Sequence, residues 1–273
     1  MTHVFDKKEN CCGCTACYSI CPVNAIKMKP DDEGFLYPEI NNKLCKNCGA
    51  CRNVCPIQSD LENFECYEEP LVFAARHNLE EVIMSSSSGG VYSAISDYAL
   101  KLSYIVYGAE FNDEFVVCHN RATNTLERDK FKGSKYVESN LGDTFKQIKH
   151  DLKNNLGVLF TGTSCQVAGL KKYLKESNIN TDKLILNDFV CHGTPSPLLW
   201  KDYLNFIQKK DKLITYTFRY KEKGWHGYNI RVKLESGKEK VNTADIKIFT
   251  NLFSKGLTLR PACYKCQFAK LKN

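Results

Sequence analysis

Residues 11–22 of this 273-residue chain read Cys-Cys-Gly-Cys-Thr-Ala-Cys-Tyr-Ser-Ile-Cys-Pro, with three cysteines spaced by two residues and a fourth directly before proline. The pattern returns 34 residues later, where residues 45–56 read Cys-Lys-Asn-Cys-Gly-Ala-Cys-Arg-Asn-Val-Cys-Pro. This spacing is typical of cysteines that bind cubane four-iron clusters. The alternative is zinc, which usually takes two separated pairs of cysteines, so two full copies of the longer pattern favour iron.

The fourth cysteine of each copy is expected to serve the cluster of the other copy. Three cysteines at this spacing wrap one side of a cubane, and in two-cluster proteins the cysteine before proline ligates the other cluster. The first predicted cluster therefore has the ligands Cys11, Cys14, Cys17 and Cys55. The second predicted cluster has the ligands Cys21, Cys45, Cys48 and Cys51.

The distribution of cysteines and charges predicts two domains. Nine of the 15 cysteines lie in the first 55 residues, and residues 60–70 are acidic and end in proline. Apolar and polar residues alternate on both sides of a turn within residues 25–40, which predicts a β-hairpin between the two cysteine motifs. We therefore expect an α+β, ferredoxin-like two-cluster module in residues 1–60, a linker in 61–70, and a second domain in 71–273.

The second domain alternates strand-like and helix-like segments, which predicts an α/β domain with a largely parallel sheet. The predicted strands are residues 71–75, 104–107, 115–118, 157–160 and 184–186, and the predicted helices are residues 90–100, 141–152, 165–174 and 197–207. Residues 216–220 and 228–234 are expected to form antiparallel strands at an edge or in an excursion from the sheet.

Four further cysteines belong to this second domain. Cys165 and Cys191 each follow a predicted strand, at the carboxyl edge where open α/β sheets place their sites. Cys263 and Cys266 form a pair separated by two residues near the end of the chain. From spacing alone, these four cysteines are either the ligands of a third cubane cluster or unrelated core residues.

Composition and charge narrow the classes of function. The chain has no apolar run long enough to cross a membrane and no secretory leader, and its odd number of cysteines favours reduced thiols in a cytoplasmic protein. Its formal charge is +7, but each oxidised four-cysteine cubane adds about −2, so three clusters would leave about +1. The lysines are scattered, as on solvated helix faces, so nucleic acid is not an expected partner.

Several motifs occur in an order that resembles the coenzyme F-420 hydrogenase/dehydrogenase beta-subunit family, in the form that carries an N-terminal ferredoxin module. They are Ser-Ser-Gly-Gly-Val-Tyr-Ser-Ala-Ile at 87–95, Phe-Lys-Gly-Ser-Lys-Tyr-Val at 131–137, Val-Leu-Phe-Thr-Gly-Thr-Ser-Cys-Gln-Val-Ala-Gly-Leu at 158–170, Cys-His-Gly-Thr-Pro-Ser at 191–196, Phe-Arg-Tyr-Lys-Glu-Lys-Gly-Trp at 218–225 and Leu-Arg-Pro-Ala-Cys-Tyr-Lys-Cys at 259–266. The resemblance covers essentially the whole chain.

The resemblance implies a third four-iron cluster and a flavin, usually FAD, in the α/β domain. The matching metal ligands are Cys165, Cys191, Cys263 and Cys266, and the candidate flavin contacts are Ser87, Ser88, Gly89, Gly90, Gly133, Ser134 and Lys135. Small residues at a helix start let backbone amides approach a phosphate, and a lysine can supply a cation to it. The alternatives are an ordinary serine N-cap and a solvated lysine.

Two positions depart from the family pattern. Ser164 stands where the family usually has proline, which should leave the following cysteine in place. Family members also continue beyond the last cysteine pair into an Asp-Phe-Trp-Gly-like segment, whereas this sequence ends at Asn273, so we expect a truncated member or a fragment.

The leading functional hypothesis is an iron-sulfur flavoprotein oxidoreductase that passes electrons between ferredoxin-type clusters and a flavin, which reduces or oxidises an organic acceptor such as a deazaflavin. The alternative is an electron-carrier or adaptor subunit that feeds a partner enzyme and has no substrate chemistry of its own. A zinc-bearing nucleic-acid binder is a third hypothesis. The expected partners are a redox protein or a hydrogenase- or dehydrogenase-type subunit and a small-molecule acceptor. The sequence identifies no catalytic residue.

Overall fold

The computed structural model describes residues 4–58, 70–222 and 229–269. The N-terminal segment contains the helices α1 (Ala16–Ile20) and α2 (Ala50–Asn53) and the strands β1 (Ile26–Pro30) and β2 (Leu36–Ile40). The two strands pair antiparallel around a turn at residues 31–35, which confirms the predicted hairpin. Each short helix follows directly on a cysteine loop, so the hairpin and the two helices hold both loops in one small unit.

A four-stranded sheet forms the centre of the second domain. Its strands are β3 (Ile105–Phe111), β4 (Val117–Ala122), β5 (Val158–Thr163) and β6 (Leu184–Phe189), in the order β4-β3-β5-β6. Strands β3, β5 and β6 are parallel, as predicted, whereas β4 is antiparallel to β3. A short turn joins β3 to β4, and a turn of that length can connect only antiparallel strands.

Seven helices accompany the sheets in the described part of the second domain. They are α3 (Glu80–Ser85), α4 (Val91–Lys101), α5 (Thr125–Asp129), α6 (Thr144–Lys153), α7 (Ser164–Glu176), α8 (Pro197–Ile207) and α9 (Ala244–Ser254). Helix α7 begins with a capping box between Thr163 and Gln166. Helix α8 begins where the Ser196 side chain accepts from the Leu199 amide and Pro197 supplies a preset φ.

A second, separate sheet of three strands follows the central sheet in the chain. It contains the antiparallel strands β7 (Leu213–Thr217), β8 (Arg231–Leu234) and β9 (Glu239–Val241). An aromatic cluster around Trp200 packs this sheet against α8 and α9. The prediction of antiparallel strands in this region is confirmed.

The strand predicted at residues 71–75 is wrong. Leu71, Val72 and Phe73 are exposed by 84%, 89% and 79%, and the segment belongs to no strand. A short apolar run becomes a strand only where a partner satisfies its backbone groups, and here the central sheet is built from other segments. The predicted linker at residues 61–70 lies almost wholly outside the described residues.

One hydrophobic core joins the two parts of the chain. Ala16, Ile26 and Val54 of the N-terminal segment pack in the same buried cluster as Phe145 and Leu170 of the α/β domain. Residues 4–58 are therefore docked on the sheet domain by buried apolar contacts. The described residues include no helix with the length and hydrophobicity of a membrane span.

Candidate iron-sulfur centres

Two cavities in the N-terminal segment are lined by crossed sets of cysteines. The first cavity is lined by Cys11, Cys12, Cys14, Cys17 and Cys55, together with apolar residues such as Val4 and Phe5. The second cavity is lined by Cys21, Cys45, Cys48 and Cys51. The cysteine before proline thus lies with the triplet of the other copy. Each cavity presents the four thiols that a cubane cluster needs, so the donor set fits this group.

Most electrostatic couplings between the thiols follow the same grouping, although the charge of Cys51 also acts on Cys17 and Cys55 across the two groups. The pKa of Cys17 is raised well above its ordinary value by burial and then by the thiolate charges of Cys11 and Cys55. The pKa of Cys51 is also raised, mainly by burial and partly by the charges of Cys45, Cys48 and Cys21. Thiols that repel one another as thiolates gain most from a bound cation centre, because the centre neutralises them together.

The backbones of the two cysteine loops take similar left-handed conformations at equivalent positions. In the first loop Gly13 has φ +72° and Thr15 has φ +63°. In the second loop Asn47 has φ +54° and Gly49 has φ +75°. Two left-handed residues two apart turn the chain around the cavity, so the sequence repeat is also a repeat of backbone path.

The four cysteines of the second domain also approach one another. Cys165 lies in the first turn of α7, Cys191 follows β6, and Cys263 lies in a 3₁₀ helix, Pro261–Lys265, that ends beside Cys266. Although Cys191 is exposed as a residue, desolvation of its thiol raises its pKa to about 11, and the charges of the other three cysteines act in the same direction.

Backbone contacts bring the Cys191 loop to the C-terminal cysteine pair. The amide of Thr194 lies 3.4 Å from the Cys263 sulfur, and Pro195 forms an isolated antiparallel bridge with Leu259. His192, next to Cys191, has its Nε2 atom 3.2 Å from the carbonyl oxygen of Phe253. Segments separated by about seventy residues are therefore held side by side by the fold.

Cys12 lines the first cavity and lies near the third group of cysteines. The pKa of its partly buried thiol is raised well above the ordinary value, first by the neighbouring Cys14 thiol, while the Cys165 thiol acts in the opposite direction. Spacing alone predicts only that Cys12 is not a ligand. The sequence does not indicate that Cys12 lies near Cys165, because the two residues are more than 150 positions apart.

Arg260 and Glu138 form a buried ion pair between the same two groups. Their side chains are 1% and 12% exposed, and Nη1 of Arg260 lies 2.7 Å from Oε1 of Glu138. Burial alone would lower the pKa of Arg260, but the charges of Glu138 and Cys11 outweigh this effect and raise it. Burial raises the pKa of Glu138 to about 7, and the guanidinium opposes that rise. Sequence reasoning missed both residues.

The two candidate flavin loops contact each other. The amide of Ser134 donates to Oγ of Ser87 at 2.6 Å, and α4 begins at Val91, after Gly90 with φ +81°. Nζ of Lys135 donates to the carbonyl oxygens of Phe131, Lys132 and Gly133, and burial lowers its pKa to about 8. Gly89 and Ser88 lie in the same turn before α4, where the carbonyl oxygen of Ser88 accepts from Nζ of Lys221.

Within the described ranges, no group of three or more His, Cys, Asp or Glu residues is gathered tightly enough to hold a single metal ion. The cysteines of the two N-terminal groups instead surround the two cavities. The Cys66 thiol lies outside the described residues.

Two separate segments of the chain match known protein families. Residues 10–59 match the family of the 4Fe-4S dicluster domain. Residues 156–272 match the family described as the C terminus of the beta subunit of coenzyme F420 hydrogenase/dehydrogenase. Curated protein sequences gave no match.

Among solved structures, the chain is similar to one from the F420-reducing NiFe hydrogenase complex of Methanosarcina barkeri, with 18% sequence identity and a TM-score of 0.47. The similarity covers 70% of this chain and 63% of that chain, so this chain spans less than two thirds of that relative's length. The chain thus combines a segment that matches the 4Fe-4S dicluster domain with a segment that matches the C terminus of the coenzyme F420 hydrogenase/dehydrogenase beta subunit.

Proposed function

We propose that this protein is an iron-sulfur electron-transfer subunit in which three four-iron clusters conduct electrons between a redox partner and a flavin. The observation that carries the proposal is the close packing of α7, which carries Cys165 in its first turn, on the first cysteine group: a Cβ atom built at Gly169 of this helix would lie 2.8 Å from the sulfur of Cys14. The cysteines of the two domains therefore lie side by side, as a relay of clusters requires.

The ligands proposed for the relay are the three groups of four cysteines. The first cluster is assigned to Cys11, Cys14, Cys17 and Cys55, the second to Cys21, Cys45, Cys48 and Cys51, and the third to Cys165, Cys191, Cys263 and Cys266. The second group includes the exposed Cys48, so a partner protein can approach its cluster. The first group is the most buried of the three, because it alone contains buried cysteines, Cys14 and Cys17.

The flavin is assigned to the two loops around Ser87–Gly90 and Gly133–Lys135. Three residues beyond Lys135, the carboxyl of Glu138 is close enough to Cys165 and Cys263 to affect their pKa values. A flavin bound at these loops would therefore lie near the third cluster. There it would couple one-electron transfer to two-electron chemistry on an organic acceptor such as a deazaflavin.

The second candidate function is an adaptor subunit that conducts electrons to a partner enzyme without a flavin. The contacts of Lys135 favour it, because its ammonium group already donates to three carbonyl oxygens of its own loop. The direct bond between Ser134 and Ser87 also closes the two loops on each other. The two functions differ in whether the purified chain binds flavin.

The test is anaerobic purification of the full chain, with flavin quantified and its reduction by the reduced clusters followed in time. We expect bound flavin, and we expect Ser87→Ala to lower the flavin content because Ser87 is one of the assigned flavin contacts. Ser85→Ala is the matched control, since Ser85 bonds only within its own helix turn, to the Val82 carbonyl. If the chain carries its clusters but binds no flavin, the flavin assignment is wrong and the adaptor function is supported.

A further inference from the structure

The structure assigns a role to Arg260: the charge of this residue raises the reduction potential of the first cluster above that of the second. Neither the cysteine pattern nor the flavin loops provide this effect. This role rests on the ligation proposed above. Reduction adds a negative charge to a cluster, so a cation nearby favours the reduced form. An electron would then settle on the cluster that lies next to the cysteines of the α/β domain.

The guanidinium of Arg260 is placed directly at the first group of cysteines. The residue is completely buried, and its Nε donates to the carbonyl oxygen of Cys11 at 2.8 Å. Nη2 donates to the carbonyl oxygen of Leu36 at 2.8 Å and lies 3.7 Å from the sulfur of Cys11. The ring of Tyr37 lies 4.2 Å from the guanidinium carbon. These contacts hold the charge in one position beside a proposed ligand.

The backbone of Arg260 belongs to the third group of cysteines. Its amide donates to the carbonyl oxygen of Thr194, and its own carbonyl accepts from the amide of Cys263. The same residue is therefore fixed to the first group by its side chain and to the third group by its backbone. Hydrogen bonds and charges at cluster sulfurs are among the established determinants of cluster potential.

The second group of cysteines has a different electrostatic environment in the described part of the chain. The sulfur of Cys45 accepts from the neutral backbone amide of Asn47 at 3.4 Å. The nearby cationic side chains of Lys46 and Arg52 are exposed, so water and salt screen their charges. A buried charge acts through a lower effective dielectric constant and is screened much less. The two clusters should therefore differ in potential although their ligand patterns are the same.

Glu138 carries a charge opposite to that of Arg260, so variants of the two residues should shift the reduction potential of the first cluster in opposite directions. One carboxylate oxygen pairs with Arg260, while Oε2 is buried and has no hydrogen-bond partner among the described residues. The carboxylate therefore offsets part of the guanidinium charge. Removing the carboxylate should favour reduction of the first cluster, and removing the guanidinium should oppose it.

The experiment is a redox titration of the full chain, reconstituted anaerobically with iron and sulfide and followed by electron paramagnetic resonance. It is run well above the pKa of about 7 that burial gives Glu138, so that the carboxylate is ionised. Cys48→Ser identifies the signal of the second cluster. We expect Arg260→Gln to lower the potential of the first cluster, Glu138→Gln to raise it, and neither to move the second.

Two further variants separate this role from a structural one. Arg260→Lys keeps the charge and loses the planar fork, so the potential should stay nearer the wild-type value than in Arg260→Gln. Arg128→Gln is the matched control, because Arg128 is equally buried and pairs with Asp97 and Asp129 away from the cysteines. It should lower the urea midpoint while both potentials stay unchanged.

The outcomes distinguish failure of the role of Arg260 from failure of the proposed cysteine ligation. If both N-terminal clusters assemble but Arg260→Gln and Glu138→Gln leave the first potential unchanged, the role of Arg260 is overturned and the proposed ligation stands. The role is also overturned if both variants shift the potential in the same direction. If the chain assembles no pair of four-iron clusters, the ligation and the role of Arg260 fail together.

Discussion

Gly13 occupies a crowded position in the first cysteine loop. Its φ is +72°, and a Cβ atom built there would lie 2.7 Å from Oε1 of Glu138 and 2.8 Å from Nη1 of Arg260. Gly49 in the second loop has a similar φ of +75°, but a Cβ atom there would meet nothing within 4 Å. The two glycines therefore share the backbone requirement and differ in the space around them.

Replacement of Gly13 by alanine should be more destabilising than replacement of Gly49. A left-handed alanine costs about 1 to 2 kcal/mol, which both variants share. Overpacking against the buried ion pair adds about 1 to 3 kcal/mol in Gly13→Ala alone. Urea unfolding followed by circular dichroism measures both variants. Equal midpoints for the two would contradict the packing described around Gly13.

His119 makes stability depend on pH. Burial lowers its pKa from 6.5 to about 4 and the charge of Lys135 acts in the same direction, although the contact with the carbonyl oxygen of Thr161 opposes the shift. Between about pH 7 and pH 5 the unfolded chain binds a proton that the folded chain does not bind. The folded chain should therefore lose about 2 kcal/mol of stability as the pH falls across this range.

The variant His119→Gln tests this dependence, because glutamine cannot titrate. The stability difference between wild type and variant should shrink by about 2 kcal/mol from pH 7 to pH 5. Unfolding midpoints at a series of pH values give the comparison. Parallel curves for the two proteins would mean that His119 is not held in its neutral form.

The metal-binding residues and the residues that surround them differ in how far the sequence predicts them. The spacing of cysteines within residues 11–22 and 45–56 is local, so it indicates the chemistry directly. The contacts of Arg260 with Cys11 and Glu138 cross 249 and 122 positions of the chain. Only the fold creates such contacts, and no short pattern in the sequence indicates them.

Among the elements, helix α7 connects the N-terminal segment to the sheet. It begins with Cys165 in its first turn and packs on α1, which carries Cys17. Gly169 allows this approach, because a Cβ atom built there would lie 2.8 Å from the sulfur of Cys14. A glycine inside a helix usually costs stability, so its presence here has a packing reason.

The variant Gly169→Ala should weaken the first cluster. In an open helix position this change stabilises by about 1 kcal/mol, but here the new methyl group would displace Cys14. We expect less iron per chain and faster loss of iron to a chelator. Lys175→Ala, on the exposed part of the same helix, is the control and should retain its iron. Normal iron retention in Gly169→Ala would contradict the close approach of α7.

Elements with local boundary signals are the ones that the sequence predicts well. Helix α8 has the predicted limits, residues 197–207, because Ser196 caps it and Pro197 begins it. The strand predicted at residues 71–75 lacks such signals, and its exposed residues lie away from the sheet. The antiparallel direction of β4 depends on the short turn after β3, which the spacing of apolar residues does not reveal.

For the whole molecule, the crossed arrangement of the two N-terminal groups predicts which variants resemble one another. Cys55→Ser should disturb the same cluster as Cys14→Ser, and Cys21→Ser the same cluster as Cys45→Ser. Electron paramagnetic resonance spectra of the four reduced variants, each a full chain, make the comparison. If Cys21→Ser resembles Cys14→Ser instead, the ligation is not crossed.

The shared hydrophobic core holds the two parts of the chain together, and we propose that all three cysteine groups act as one electron-transfer unit. Three groups of four cysteines predict about twelve iron atoms per reconstituted chain. The decisive measurement is the iron content of Cys191→Ser beside Cys118→Ser, whose cysteine lies outside all three groups. We predict about eight iron atoms for Cys191→Ser and about twelve for Cys118→Ser and the wild type. A wild-type chain with only about eight, or a Cys191→Ser variant that keeps the wild-type content, would contradict the account.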